Sequence, residues 1–223
     1  MIPLRDTIRS RTIPYVNFTL IVLCGVVFLY ELSLGERVEP FMRTMAVTPA
    51  SVSSTLFHGD LSISALLTLV TSMFLHGGWL HLIGNMVYLY VFGDNVEDSL
   101  GHAGYLLFYI LAGIAAALTE VAFRPDSYVP LIGASGAIAG VLGAYFLLFP
   151  RARVTTIIPL FIFFPIVEVS AFFFLGFWFV MQFLQGTLGS GAAVEGGVAW
   201  WAHAGGFVAG AVLLPFFRLA RRF

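Results

Sequence analysis

The chain has 223 residues, 59% of them hydrophobic and only 10% charged, with a mean hydropathy of +0.94. A soluble domain carries about a quarter charged residues, so composition excludes a soluble globule and points to a polytopic membrane protein. The formal net charge of −1 names no partner, and the single cysteine, Cys24, excludes a disulfide framework or a cysteine metal site.

Continuous apolar runs near the ~20 residues of a spanning helix, rather than short alternating strands, predict an all-α membrane protein. Residues 1–15 read as a short basic N-terminus. The first apolar segment, Val16–Leu32, is too long for a signal h-region and lacks a clear cleavage site, so it reads as a retained anchor. Five more predicted helices follow at Gly78–Val96, Ala103–Phe123, Ser135–Phe149, Pro165–Leu184 and Trp200–Leu219. Residues 16–219 therefore form a predicted six-helix membrane domain, and 220–223 a basic tail. Pro150 ends the fourth segment, and Pro159 and Pro165 bracket the start of the fifth. Arg5, Arg9, Arg11, Arg151, Arg153, Arg218, Arg221 and Arg222 share one side if both termini are cytoplasmic, and only Arg37, Arg43 and Arg124 fall outside. That distribution obeys the positive-inside rule. The second, fourth and sixth segments then all begin at the outer side.

The polar residues of these segments carry the chemistry. His81 and Asn85, four apart near the start of the second segment, share one helix face and offer side-chain donors to an oxyanion. His76, just before them, reads mainly as a structural residue of the first outer loop. Glu97 reads as a cap on the turn after the second segment. Ser135 opens the fourth segment, which is short: 15 residues make about 22 Å against a hydrocarbon core of about 30 Å. The loop before it, residues 124–134, must dip inward, which is tolerated only inside protein or along a water-filled cavity. Glu168 reads as interfacial, near the start of the fifth segment. Of the aromatics in that segment, Phe172 to Phe174, Phe177, Trp178 and Phe179, some are expected to form a lateral gate beside the second segment. His203, near the start of the sixth, is the expected base for Ser135, because a serine hydroxyl needs one and an imidazole suits neutral pH. The sixth segment has no acidic residue and Glu195 lies in the preceding loop, so a Ser–His dyad is expected. Gly136 and Gly140 on one segment, and Gly206 and Gly210 on another, are small-residue pairs that let membrane helices approach closely. Packing these faces would bring Ser135 and His203 within hydrogen-bond reach.

Three motifs in this order resemble the rhomboid intramembrane serine proteases: His81-Leu82-Ile83-Gly84-Asn85, Gly133-Ala134-Ser135-Gly136, and Ala202-His203 followed by Gly206 and Gly210. The resemblance implies a six-helix rhomboid-like bundle, Ser135 as nucleophile, His203 as general base, and His81 and Asn85 as oxyanion donors. It implies transmembrane protein substrates cut near the outer face, a lipid bilayer as the working environment, and no metal, cofactor or nucleic acid. A bacterial cytoplasmic membrane is the expected location. Two features depart from some members: Ala139 stands where an aromatic stacks on the histidine, and no tryptophan–arginine pair occurs between Glu31 and Gly77. The competing expectations are an inactive relative that holds membrane clients, and a transporter. Against the latter, the first and third segments offer no polar path apart from Glu120.

Overall fold

The computed structural model describes residues 1–188 and 198–220. Among the described residues, six helices follow the predicted segments: α1 (Tyr15–Ser33), α5 (Trp79–Leu100), α6 (His102–Phe123), α7 (Ser135–Leu148), α8 (Ala171–Leu188) and α9 (Trp200–Ala220). Four of them, α1, α6, α8 and α9, are long and apolar enough to cross a membrane. The count reaches five if α5 is joined to the helical stretch Ile63–Phe74, from which it turns by 80°; α7 is a shorter apolar helix.

Two regions correct the expectation. Residues 34–77, read as an outer loop, contain α2 (Val38–Met45), α3 (Pro49–Phe57) and α4 (Ile63–Thr71). Val52, Ala65 and Leu69 of this region pack on Ala117 and Val121 of α6, with Val47 beside them. The chain is also not all-α. It contains a three-stranded antiparallel sheet of β1 (Ile2–Asp6), β2 (Arg153–Ile157) and β3 (Ile166–Ser170), with β2 in the centre. Hydropathy reads β3 as the start of a helix because it is apolar. Its Ile166, Val167 and Val169 are β-branched, however, and pair with the equally β-branched Ile157, Thr156 and Val154 of β2, which suits a pleated surface. The fifth helix accordingly starts at Ala171 rather than Pro165. Glu168 lies on β3, with Arg153 Nη1 3.8 Å away. Residues 1–15, read as a short basic N-terminus, contain the edge strand β1.

Buried polar groups tie the helices to one another. Glu97 is fully buried, and its carboxylate accepts the backbone N–H groups of Val16 at 3.0 Å and Asn17 at 2.7 Å. It therefore caps α1, not the α5–α6 turn, because the first N–H groups of a helix have no intrahelical partner. His102 Nδ1 meets the same carboxylate at 2.5 Å. Asn17 extends the clamp, donating to the Leu89 carbonyl at 3.0 Å and accepting from Tyr105 Oη at 2.8 Å. At the start of α9, Glu120 does what Glu97 does for α1, accepting the Ala202 N–H at 3.0 Å.

Candidate active site

Backbone contact between α7 and α9 sets the framework. A Cβ added to Gly206 would stand 2.2 Å from the Gly136 carbonyl oxygen, and one added to Gly210 would stand 2.0 Å from that of Gly140. Across the same seam a Cβ on Gly143 would meet the Phe207 carbonyl oxygen at 2.0 Å. Only hydrogens fit there, so the two helices meet main chain to main chain, and Ala112 and Ala116 of α6 close the third side. The glycine pair on each helix thus lies in one seam. Ser135, one residue before Gly136, and His203, three before Gly206, emerge at its end.

There the Ser135 hydroxyl lies 2.8 Å from His203 Nε2, and His203 Nδ1 lies 2.7 Å from Gln182 Oε1 on α8. An amide oxygen only accepts, so Nδ1 carries the proton and Nε2 is left as the acceptor of the serine O–H. Gln182 is a residue that sequence reasoning missed. Glu195, weighed as the nearest acid, lies outside the described residues. The signal was available: Gln182 stands four residues after Trp178, on one face of the helix, and is the first polar side chain after the apolar run Ala171–Met181. Trp178 flanks the imidazole with ring centroids 5.9 Å apart, and Trp200 does so at 6.2 Å. Aromatic packing on the histidine therefore comes from α8 and α9, where the fourth segment offers only Ala139.

His81 and Asn85 face the same place from α5. Gly133 has φ of +114°, a conformation that favours glycine, and a Cβ there would lie 2.6 Å from His81 Nε2 and 3.5 Å from Asn85 Nδ2. The loop before Ser135 consequently rests directly on both side chains. The Gly77 N–H points at His81 Nδ1 at 3.5 Å, which leaves the proton on Nε2, facing Gly133. Asn85 Nδ2 gives one hydrogen to His76 Nε2 at 3.1 Å and keeps its second. His76 is wholly buried, its Nδ1–H directed at the Phe74 carbonyl at 3.2 Å and its backbone N–H held by Glu31 of α1. His76, assigned to the loop by sequence, holds Asn85 in place. Glu31 was not singled out at all.

These groups open onto a cavity of about 890 Å³, lined among others by Gly77, Trp79, His81, Asn85, Ile132, Ser135 and His203. A second opening, of about 220 Å³, reaches Ser135 and His203 sideways between α5 and α8, past Gly84, Tyr88 and Trp178. Ala134 stands at the N-cap of α7 without a side-chain cap, so the first-turn N–H groups, with the positive end of the helix dipole, face the site. No cluster of three or more metal-ligating side chains occurs among the described residues.

The family model for the rhomboid domain matches residues 64–220. The chain belongs to the rhomboid family. It is an integral, multi-pass membrane protein with several apolar helices. Among curated rhomboids, "Rhomboid-like protein 11, chloroplastic" of Arabidopsis thaliana is 40% identical over 72 residues, which is 32% of this chain and 25% of that relative. "Rhomboid protease GluP" of Bacillus subtilis (strain 168) is 42% identical over 76 residues, 34% of this chain and 14% of the relative. "Rhomboid protein 1, mitochondrial" of Saccharomyces cerevisiae is 32% identical over 96 residues, 41% of this chain and 28% of the relative. The matched stretches thus span well under half the length of these relatives.

Proposed function

We propose that the chain is an intramembrane serine endopeptidase that cuts transmembrane segments of other membrane proteins. The observation that carries this reading is the hydrogen bond from Ser135 Oγ to His203 Nε2 at 2.8 Å, with the other imidazole nitrogen committed to Gln182. Ser135 Oγ attacks the scissile carbonyl carbon and gives its proton to His203 Nε2. The imidazolium passes that proton to the leaving amine. Water then attacks the acyl group on Ser135, with His203 again taking and returning the proton. Gln182 does not accept that proton. It fixes the tautomer and ring plane, so the reacting pair remains a dyad.

Charge builds on the carbonyl oxygen during each attack. His81 Nε2–H, the free hydrogen of Asn85 Nδ2 and the Ser135 backbone N–H are the donors that meet it. The cavity over Ser135 supplies room for water, and the opening between α5 and α8 supplies a lateral way in for a substrate helix. In this reading six segments span the bilayer, both termini are cytoplasmic, and the site lies below the outer face of a bacterial cytoplasmic membrane. Arginine placement supports that orientation. The preferred substrates carry small residues at the cut and helix-loosening residues nearby, as the family resemblance implies.

The test is a fluorophosphonate probe on purified protein, read by intact mass. One adduct is expected on Ser135, absent in Ser135→Ala and lost or strongly slowed in His203→Ala. Folded wild type that takes up no probe, and leaves a transmembrane substrate intact while binding it, would instead be a client-binding relative.

A further inference from the structure

The connection between β2 and β3 ends in an apolar tip that is largely exposed among the described residues. Leu160 and Phe163 pair across it, Leu160 N–H to the Phe163 carbonyl at 2.8 Å and Phe163 N–H to the Leu160 carbonyl at 2.9 Å. Phe161 and Ile162 form the turn, at 101% and 81% exposure, and Phe163, Phe164 and Ile166 are exposed beside them. Two-residue hairpin turns in water favour glycine, asparagine or aspartate. Here the position with φ of +55° holds a phenylalanine, a conformation rarely adopted by a bulky side chain. The residue types at this tip suit an apolar surrounding, not water.

The sheet's position says what that surrounding is. Asp6 at one end of β1 accepts from Asn95 Nδ2 at 3.0 Å, while the Met1 carbonyl at the other end accepts from Tyr88 Oη at 2.9 Å. Asn95 and Tyr88 are seven residues apart on α5, about 10 Å along its axis, so β1 runs up the side of an apolar helix toward the cavity. Register carries the hairpin the same way, with Val154 opposite Asp6 and Ile157 opposite Ile2. Its tip then points away from the polar end of α5 and stays exposed. Beyond Ser170 the chain passes directly into α8, whose Phe172, Phe173 and Phe177 are exposed and extend the same apolar surface. The charged residues stay at the base, where Arg151 and Arg153 are exposed. Part of the hairpin's backbone donor load is removed or paired. Pro159 and Pro165 have no N–H, and the Ile158 N–H is bonded to the Pro165 carbonyl at 3.1 Å.

We propose that the Leu160–Phe164 tip is a lipid-inserted wedge, seated among acyl chains beside the bundle, with Arg151 and Arg153 at the headgroups of the leaflet opposite the cavity. An apolar tip on a basic base is the distribution an interfacial membrane segment carries. The inference does not depend on the proposed protease activity.

The experiment uses the full-length protein in phosphatidylcholine nanodiscs, one copy per disc. Phe161→Cys and, separately, Ile162→Cys are labelled with the fluorophore NBD; wild type, whose only cysteine is the buried Cys24, is the unlabelled control. Leu61→Cys, at a 90% exposed site between α3 and α4, provides a second label position for comparison. A blue-shifted emission, quenching by lipid with a doxyl group on its acyl chain, and slower bleaching by aqueous dithionite than at Leu61→Cys are expected at both tip positions. Bleaching as fast as at Leu61→Cys with no quenching by doxyl lipid would overturn the proposal. So would protection that appears only in discs holding two copies, which would make the tip a contact between chains. Neither result would touch the Ser135 chemistry, because no activity is read.

Discussion

The two sides of the site are built differently. On one side α6, α7 and α9 meet through glycine and alanine, with carbonyl oxygens where side chains would otherwise be. On the other, α5 and α8 are linked through aromatic rings, Tyr88 and Phe92 against Phe174, with an opening above them that reaches Ser135. The contrast separates two tasks. Main-chain contact leaves no rotamer to vary, so the first side sets the distance between Ser135 and His203. Side chains can turn, so under the proposed function the second side is the one that opens to a substrate. Gln182 crosses the divide, because it belongs to α8 and holds the histidine of α9.

The largest effect is expected from removing the reacting pair. His203→Ala or Ser135→Ala should lower turnover of a transmembrane substrate by about 10⁴-fold or more, with unfolding temperature little changed. Next is Asn85→Ala, expected to lower kcat by about 10²- to 10³-fold as an oxyanion donor. Gln182→Leu leaves the Nδ1–H of the half-buried His203 without a protein partner, a loss of up to about 1–3 kcal/mol or roughly 5- to 150-fold in rate. Gln182→Glu keeps an acceptor there and should retain more activity, an ordering that a purely structural role would not give.

The rigid side is probed by stability. Gly210→Ala places a methyl against the Gly140 carbonyl and should cost about 1–3 kcal/mol, lowering the unfolding temperature in detergent. Phe177→Ala, on an exposed stretch of α8, should leave that temperature nearly unchanged. If the two fell equally, the contrast between the sides would be wrong. The smallest effect concerns the sheet. Burial holds the Asp6 carboxyl above its ordinary value of 3.8, so the folded state favours its neutral form. Its contribution to stability is complete below that value and is lost as pH rises through the raised one. Asp6→Asn is neutral throughout and should flatten that part of the unfolding-temperature profile.

Much of this was legible because polar residues in apolar segments stand out. Ser135, His203, His81 and Asn85 could be named from sequence, and so could the glycine seam, since small residues four apart mark a helix face. What escaped did so for physical reasons. β3 is apolar, and hydropathy does not separate a β-branched strand from a helix start. Glu97 and Glu120 could be seen as polar residues near helix ends, but not which helix each would cap, since a carboxylate caps whatever N–H groups the fold brings to it. Gln182 was missed because, unlike Asn85 beside His81, it has no histidine one turn away on its own helix, and its partner lies 21 residues away on another.

The distribution of indole rings has a practical outcome. Of four tryptophans in the chain, Trp79 lines the larger cavity, while Trp178 and Trp200 sit against His203. Ultraviolet emission from the unlabelled protein is therefore weighted toward this one locality. A peptide displacing water there should alter that emission, giving a titration that needs neither dye nor turnover and works equally well on the Ser135→Ala variant.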